Sequence, residues 1–137
     1  MDNNLIREWF RFGDMDIATA ELKMEHHPQH YEIICYHCQQ SAEKYLKGYL
    51  IAQSMEQPPK IHDLIRLCEL CVKYNKDFSE ISRQCGSLTQ YGVQPRYPDE
   101  IELDETLTNK ALTFAQQIKA FAPLQELRNS LNQKENN

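Results

Sequence analysis

The sequence predicts an all-α fold, an up-and-down bundle of four to five helices, and three observations carry that reading. Apolar residues recur at steps of three and four through four long runs, and no stretch alternates convincingly over five or more residues. Only four glycines occur among the 137 residues. The six prolines fall almost entirely between the periodic runs, where a residue that lacks an N–H and clashes with the preceding turn ends a helix.

The first run places Ile6, Phe10, Gly13, Ile17, Ala20 and Met24 on one stripe and stops before Pro28. The second carries Cys35, Cys38, Ala42, Tyr45 and Tyr49, flanked by Ile34, Leu46 and Leu50, and stops before Pro58-Pro59. The third has Ile61, Leu64, Ile65, Cys68 and Val72, breaks near Asn75, and resumes with Phe78, Ile81, Cys85 and Leu88. The segment with Pro95 and Pro98 separates it from the fourth run, Leu107, Ala111, Phe114, Ala115, Ile118 and Phe121, for which Asp104 or Thr106 is the expected N-cap. The first, second and fourth runs each give a helix of about 30–35 Å at 1.5 Å per residue. Long amphipathic helices with short connections pack antiparallel. One domain is expected over residues 1–128, with a mostly polar tail, 129–137, that frays.

Composition excludes several classes. A 41% hydrophobic and 26% charged chain is an ordinary globular balance. The apolar runs fall far short of the ~20 residues that span a bilayer. The start, Met1-Asp2-Asn3-Asn4, lacks the pattern of a signal peptide, and five cysteines are then expected as reduced thiols in a cytoplasmic protein. Net charge of −5 argues against general nucleic-acid affinity while leaving room for a local basic patch.

Several clusters invite chemistry. Cys35-Tyr36-His37-Cys38 and Cys68-Glu69-Leu70-Cys71 offer four thiolates of the kind zinc takes. On the apolar stripe of a helix, however, a free cysteine acts as a small hydrophobe. No βαβ context supports a redox role. His26, His27 and His30 occupy a turn and read equally as metal ligands or as solvent-facing polar residues. The acids between Asp99 and Glu105 suit either a cation or the dipole of the following helix.

More suggestive is the polar side of the second run: Gln39, Gln40, Glu43, Lys44 and Lys47, in which Glu43 and Lys47 also read as a solvated i,i+4 pair. His62-Asp63 opens the third run, where Asp63 could serve as a cap. In Arg96-Tyr97-Pro98-Asp99, Pro98 restricts Tyr97 to extended backbone and so fixes where Arg96 projects. An arginine on such a loop suits an anion, because its planar fork carries five donors.

Together these segments resemble the HEPN domain, the helical family named for higher eukaryotes and prokaryotes nucleotide binding. The resemblance rests on Cys38-Gln39-Gln40-Ser41-Ala42-Glu43-Lys44-Tyr45-Leu46-Lys47, then Ile61-His62-Asp63-Leu64, then Arg96-Tyr97-Pro98-Asp99. Trp9, Asp16 and an alanine-rich last helix extend it over about residues 5–122. Ile61 departs from the threonine the family usually places before His-Asp-Leu.

The resemblance implies a commonly homodimeric bundle, often encoded beside a minimal nucleotidyltransferase in a toxin–antitoxin-like pair. It implies nucleotide or phosphate binding by Lys44, Lys47, His62 and Arg96, with Gln40, Glu43, Asp63 and Tyr97 in support. Tyr97 would stack on a base or close the loop from inside. ATP or GTP is the implied ligand, with no resident cofactor and with magnesium supplied only through a partner. Homodimerisation is also suggested by the many aromatic residues, Trp9, Phe10, Phe12, Tyr31, Tyr36 and Tyr91, more than a small core readily hides.

Many members are metal-independent ribonucleases marked by an arginine followed, four to six residues on, by a histidine. None of Arg7, Arg11, Arg66, Arg83, Arg96 and Arg128 has a histidine at that distance. The expectation is therefore a non-catalytic module. The alternatives are a ribonuclease toxin with an atypical site, in which His62 and Arg96 meet in space, and a zinc-stabilised structural domain.

Overall fold

The computed structural model describes residues 2–53, 57–92 and 102–136, with side chains to residue 133. These form six α-helices and two 3-10 segments, with no strand among the described residues. The helices are α1 (Asn3–His26), α2 (Tyr31–Ala52), α3 (Leu64–Val72), α4 (Ser82–Leu88), α5 (Glu105–Lys119) and α6 (Ala122–Asn136). The 3-10 segments, Lys76–Ile81 and Thr89–Tyr91, flank α4.

The helical class agrees with the sequence, and the count rises to six for local reasons. The third run is split by the turn at Lys73–Asn75, where the Asn75 side chain accepts from the Asp77 amide at 3.0 Å and starts a 3-10 segment. The fourth is split after Lys119. Pro123, in the first turn of α6, needs no intrahelical N–H partner there.

Short-range chemistry sets the helix starts. Asp2, Asp63 and Asp104 cap α1, α3 and α5, each accepting a backbone N–H of the first turn at 2.8–3.1 Å. Such caps contribute about 1 kcal/mol each. At α3 the cap is doubled, because Thr89 Oγ1 accepts from the Leu64 amide at 2.9 Å and lies 3.2 Å from Asp63 Oδ1. A threonine from a distant turn thus stands where Ile61 offers no hydroxyl.

α2 is the central element. It packs most extensively on α1 and α5 and also touches α3, α4 and α6. From Cys38 to Ile51 it is buried on nearly every side, with Gln40 and Lys44 the partial exceptions. The core around it joins Phe10 to Tyr45 edge-on, with ring centroids 5.8 Å apart, and Tyr49 to Phe78 to Phe121 at 4.4 and 5.0 Å. Each such buried ring or aliphatic side chain contributes roughly 1.5–3 kcal/mol.

Two glycines let α1 and α2 approach. A Cβ on Gly13 would sit 2.7 Å from Tyr45 Cε1, and one on Gly48 3.1 Å from Phe10 Cε1.

The stretch from Asn129, expected to fray, is instead helical to Asn136. Leu124, Leu127 and Leu131 continue one stripe, Leu124 and Leu131 are buried, and Arg7 Nη2 donates to the Leu131 carbonyl at 2.9 Å. Phe10 and Tyr91 are likewise core residues, so they contribute no surface for a partner. No described helix is long and apolar enough to cross a membrane.

Candidate phosphate-binding site

Gln39, Glu43 and Lys47 recur every four residues along α2 and so form one row. The expected solvated pair is in fact internal: the Glu43 and Lys47 side chains are each only 6% exposed, with Nζ 3.1 Å from Oε2. The reason is position. α2 runs through the middle of the bundle, so even its polar row is roofed by neighbouring helices.

Burying both charges costs several kcal/mol per ion unless their remaining hydrogen bonds are made. Glu43 meets that demand. Its Oε1 accepts from Gln39 Nε2 at 3.2 Å, and its Oε2 accepts from Lys47 and lies 3.1 Å from His62 Nδ1. The Trp9 ring of α1 lies 5.8 Å from Lys47 Nζ and adds a cation–π contact.

Gln39 ties the row to the chain segments around it. Its Nε2 also donates to the His62 carbonyl at 3.1 Å, and its Oε1 accepts from Gln40 Nε2 at 2.7 Å. Gly92 presses on the same amide, since a Cβ there would stand 3.0 Å from Gln39 Nε2. Gln39 therefore fixes the loop before α3 and packs against the chain after the second 3-10 segment.

The His62 side chain, from the segment between α2 and α3, is 76% exposed and forms the solvent-facing mouth of this cluster. Its Nδ1 faces the carboxylate, which leaves Nε2 toward solvent. Among the described residues Lys47 Nζ has one hydrogen-bond partner, Glu43, although an ammonium carries three donors. Two polarised donors from α2 and the α3 loop thus converge on one pre-oriented carboxylate.

Not every expected residue joins them. Lys44 turns to α1 and pairs with Asp16, whose other oxygen lies 2.8 Å from His37 Nδ1. Asp16 is 8% exposed, so Lys44 is committed to a second, separate polar cluster. Asp63 caps α3 and makes no hydrogen bond to His62. Among the described residues the Gln40 side chain hydrogen-bonds only to Gln39. Arg96, Tyr97 and the acids Asp99 and Glu100 lie outside the described residues.

The residues that reading the sequence did not assign are Gln39 and His37, and Trp9 and Asp16 as partners rather than family landmarks. Gln39 was signalled by its four-residue spacing to Glu43. His37 was signalled by its place one heptad before Lys44 on the same face of α2.

The four cysteines of the zinc alternative lie inside the helical core. All five cysteines are reduced and buried, and among the described residues no three His, Cys, Asp or Glu side chains gather as metal ligands. Burial pushes the Cys35 thiol up to about 11, and Cys38 and Cys71 higher still. Cys35 contacts Thr108 Oγ1, whereas Cys68 and Cys71, one turn apart on α3, contact the Phe78 and Leu46 carbonyls. His27 and His30 stack on each other with centroids 4.8 Å apart.

Comparison with known proteins gives the same outline. The family model described as HEPN domain matches residues 6–127. The fold is similar to the crystal structure of TT1696 from Thermus thermophilus, with 23% identity and a TM-score of 0.70 over 89% of this chain and 97% of that one. It is also similar to ST0689, an archaeal HEPN homologue, with 21% identity and a TM-score of 0.65 over 92% and 97% of the two chains. No curated protein matches the sequence.

Proposed function

This chain belongs to the HEPN domain family, and from that premise we propose that it is a non-catalytic nucleotide-binding module. It holds the phosphates of ATP or GTP at the mouth between α2 and α3, through Lys47, His62 and Arg96. The carrying observation is the Lys47–Glu43–His62 arrangement: a buried ammonium with one partner among the described residues, beside an exposed imidazole fixed by the same carboxylate. A phosphate oxygen at the mouth would take the free donors of both. Glu43 orients them without neutralising the pair when His62 is protonated.

Arg96 enters through connectivity. It follows Gly92 by four residues in sequence, and Gly92 abuts Gln39. Tyr97, beside it, offers a ring for the base. The absence of a histidine four to six residues after any arginine supports binding without RNA cleavage. In this reading a minimal nucleotidyltransferase partner supplies the carboxylates for magnesium, in a toxin–antitoxin-like pair, and the chain itself is a homodimer.

Calorimetry with ATP and GTP tests the module. Binding that weakens about tenfold in Arg96→Ala and in His62→Ala is the expected result, the size of a lost charge-assisted hydrogen bond. Heat indistinguishable from buffer with both nucleotides, alone and with the partner subunit, would refute the reading.

A further inference from the structure

Between α1 and α6 lies a cavity of about 220 Å³ walled by Arg7, Phe10, Arg11, Asp14, Arg128 and Leu131. Three guanidinium groups face one carboxylate, and that carboxylate is already engaged. Arg128 donates to both Asp14 oxygens at 2.8 Å, and the Tyr45 hydroxyl donates to Oδ1 at 2.6 Å. Of the other two, only Arg7 has no carboxylate partner among the described residues. Arg11 pairs with Glu8 at 2.8 Å on the outer surface, where water screens both partners.

Arg7 is different. Its Nη1 donates to Asn4 Oδ1 at 3.0 Å and its Nη2 to the Leu131 carbonyl at 2.9 Å, both neutral acceptors. Its Nε is shielded from solvent and has no acceptor among the described residues. Shielding a charged donor without an acceptor is costly, and a guanidinium matched only by neutral groups still attracts an anion.

We propose that this cavity is an anion site for a single phosphate group. Arg7 and Arg11 hold the oxygens, and the Arg128–Asp14 pair forms a rigid back wall. Size admits such a ligand. The volume equals about seven waters at ~30 Å³ each. It lies below the ~300–1,000 Å³ of pockets that enclose drug-sized molecules and is ample for a tetrahedral oxyanion. The guanidinium fork matches two oxygens of one phosphate. Phe10 and Leu131 make the wall partly apolar, which strengthens the attraction. The site uses α1 and α6 and shares no residue with the Lys47–His62 mouth, so it stands independently of the nucleotide reading. Free inorganic phosphate and the end of a phosphate monoester present the same group.

The test follows the arginine Nε–Hε resonances by NMR at constant ionic strength. Titrants are inorganic phosphate, glycerol phosphate, dimethyl phosphate and, as control, chloride. Saturable movement of Arg7 and Arg11 with either of the first two supports the site. Tighter binding of glycerol phosphate assigns a monoester ligand, and tighter inorganic phosphate assigns the free ion. Arg7→Gln should weaken binding about tenfold, and Arg11→Gln, which removes an exposed side chain and leaves the fold intact, at least about threefold. Lys73→Ala, which removes a distant surface charge, should leave the affinity unchanged. Linear drift, an equal response to chloride, movement of His62 in place of Arg7, or full affinity in Arg11→Gln would overturn the proposal. The Arg11→Gln arm decides alone if Arg7→Gln fails to fold.

Discussion

Arg128 grips both oxygens of Asp14 at 2.8 Å although 114 residues separate the two in sequence. The pair closes the bundle by joining the last helix to the first, and Tyr45 of α2 completes it through its hydroxyl. The guanidinium also lies 5.3 Å from the Phe10 ring and 5.8 Å from the Tyr45 ring. Truncation in Arg128→Ala should cost about 1–3 kcal/mol, read as a lowered urea midpoint, because it strips a carboxylate of two charge-assisted bonds.

The same pair gives a pH signature. Burial pushes the Asp14 carboxyl up, but hydrogen bonds from Arg128 and Tyr45 and the charges of Arg128 and Lys119 outweigh it, leaving the group below its usual value. A folded pKa below the unfolded value, ~3.9, contributes stability above that pH and loses it as pH falls through the folded value. Urea midpoints should therefore fall below about pH 4 more steeply in the wild type than in Asp14→Asn. Parallel pH profiles would contradict the assignment.

Gly13 and Gly86 should respond oppositely to alanine. At Gly13 the new Cβ meets the buried Tyr45 ring, whose hydroxyl is anchored on Asp14, so the ring has nowhere to move. Overpacking of about 1–3 kcal/mol should exceed the ~1 kcal/mol gained in helix propensity. At Gly86, in α4, nothing stands within 4 Å of the added Cβ, and Gly86→Ala should stabilise by up to ~1 kcal/mol. Thermal melts of the two variants check both signs.

These contrasts show what was legible in the sequence. Helix breaks at Pro28 and near Asn75, and the caps Asp63 and Asp104, are encoded within a few residues and were readable there. Burial of Glu43 and Lys47 was not, because an i,i+4 pair has the same spacing in solvent and in a core. Lys44 illustrates the same limit: its partner Asp16 is 28 residues away, and only packing of α1 on α2 brings them together. α6 was missed because Leu131 is a single apolar residue amid polar ones, significant only as the next step after Leu124 and Leu127.

The buried ion pair gives a further expectation. Lys47→Met should destabilise by about 3–5 kcal/mol, since it strands Glu43 inside the bundle, and the double variant Glu43→Leu/Lys47→Met should recover most of that loss. A double-mutant cycle in urea measures the coupling.

Four of the five thiols should be silent in the native state; Cys68, held below the ordinary thiol value by its hydrogen bond with Cys85, is protected by burial alone. Burial holds Cys35, Cys38, Cys71 and Cys85 well above the ordinary thiol range; for Cys85 the larger cause is its hydrogen bond with Cys68. At pH 8 a thiol-disulfide reagent should titrate few cysteines in the folded protein and all five in denaturant. Rapid native labelling would contradict the burial.

The central proposal is a phosphate site at the mouth between α2 and α3, and the His62 imidazole is its natural reporter. Titrating the labelled protein with ATP should move the His62 ring resonances saturably, with the midpoint obtained by calorimetry, and Lys47→Met should shift that midpoint upward by about tenfold. Saturable nucleotide binding that leaves His62 unmoved would place the ligand elsewhere and contradict the account.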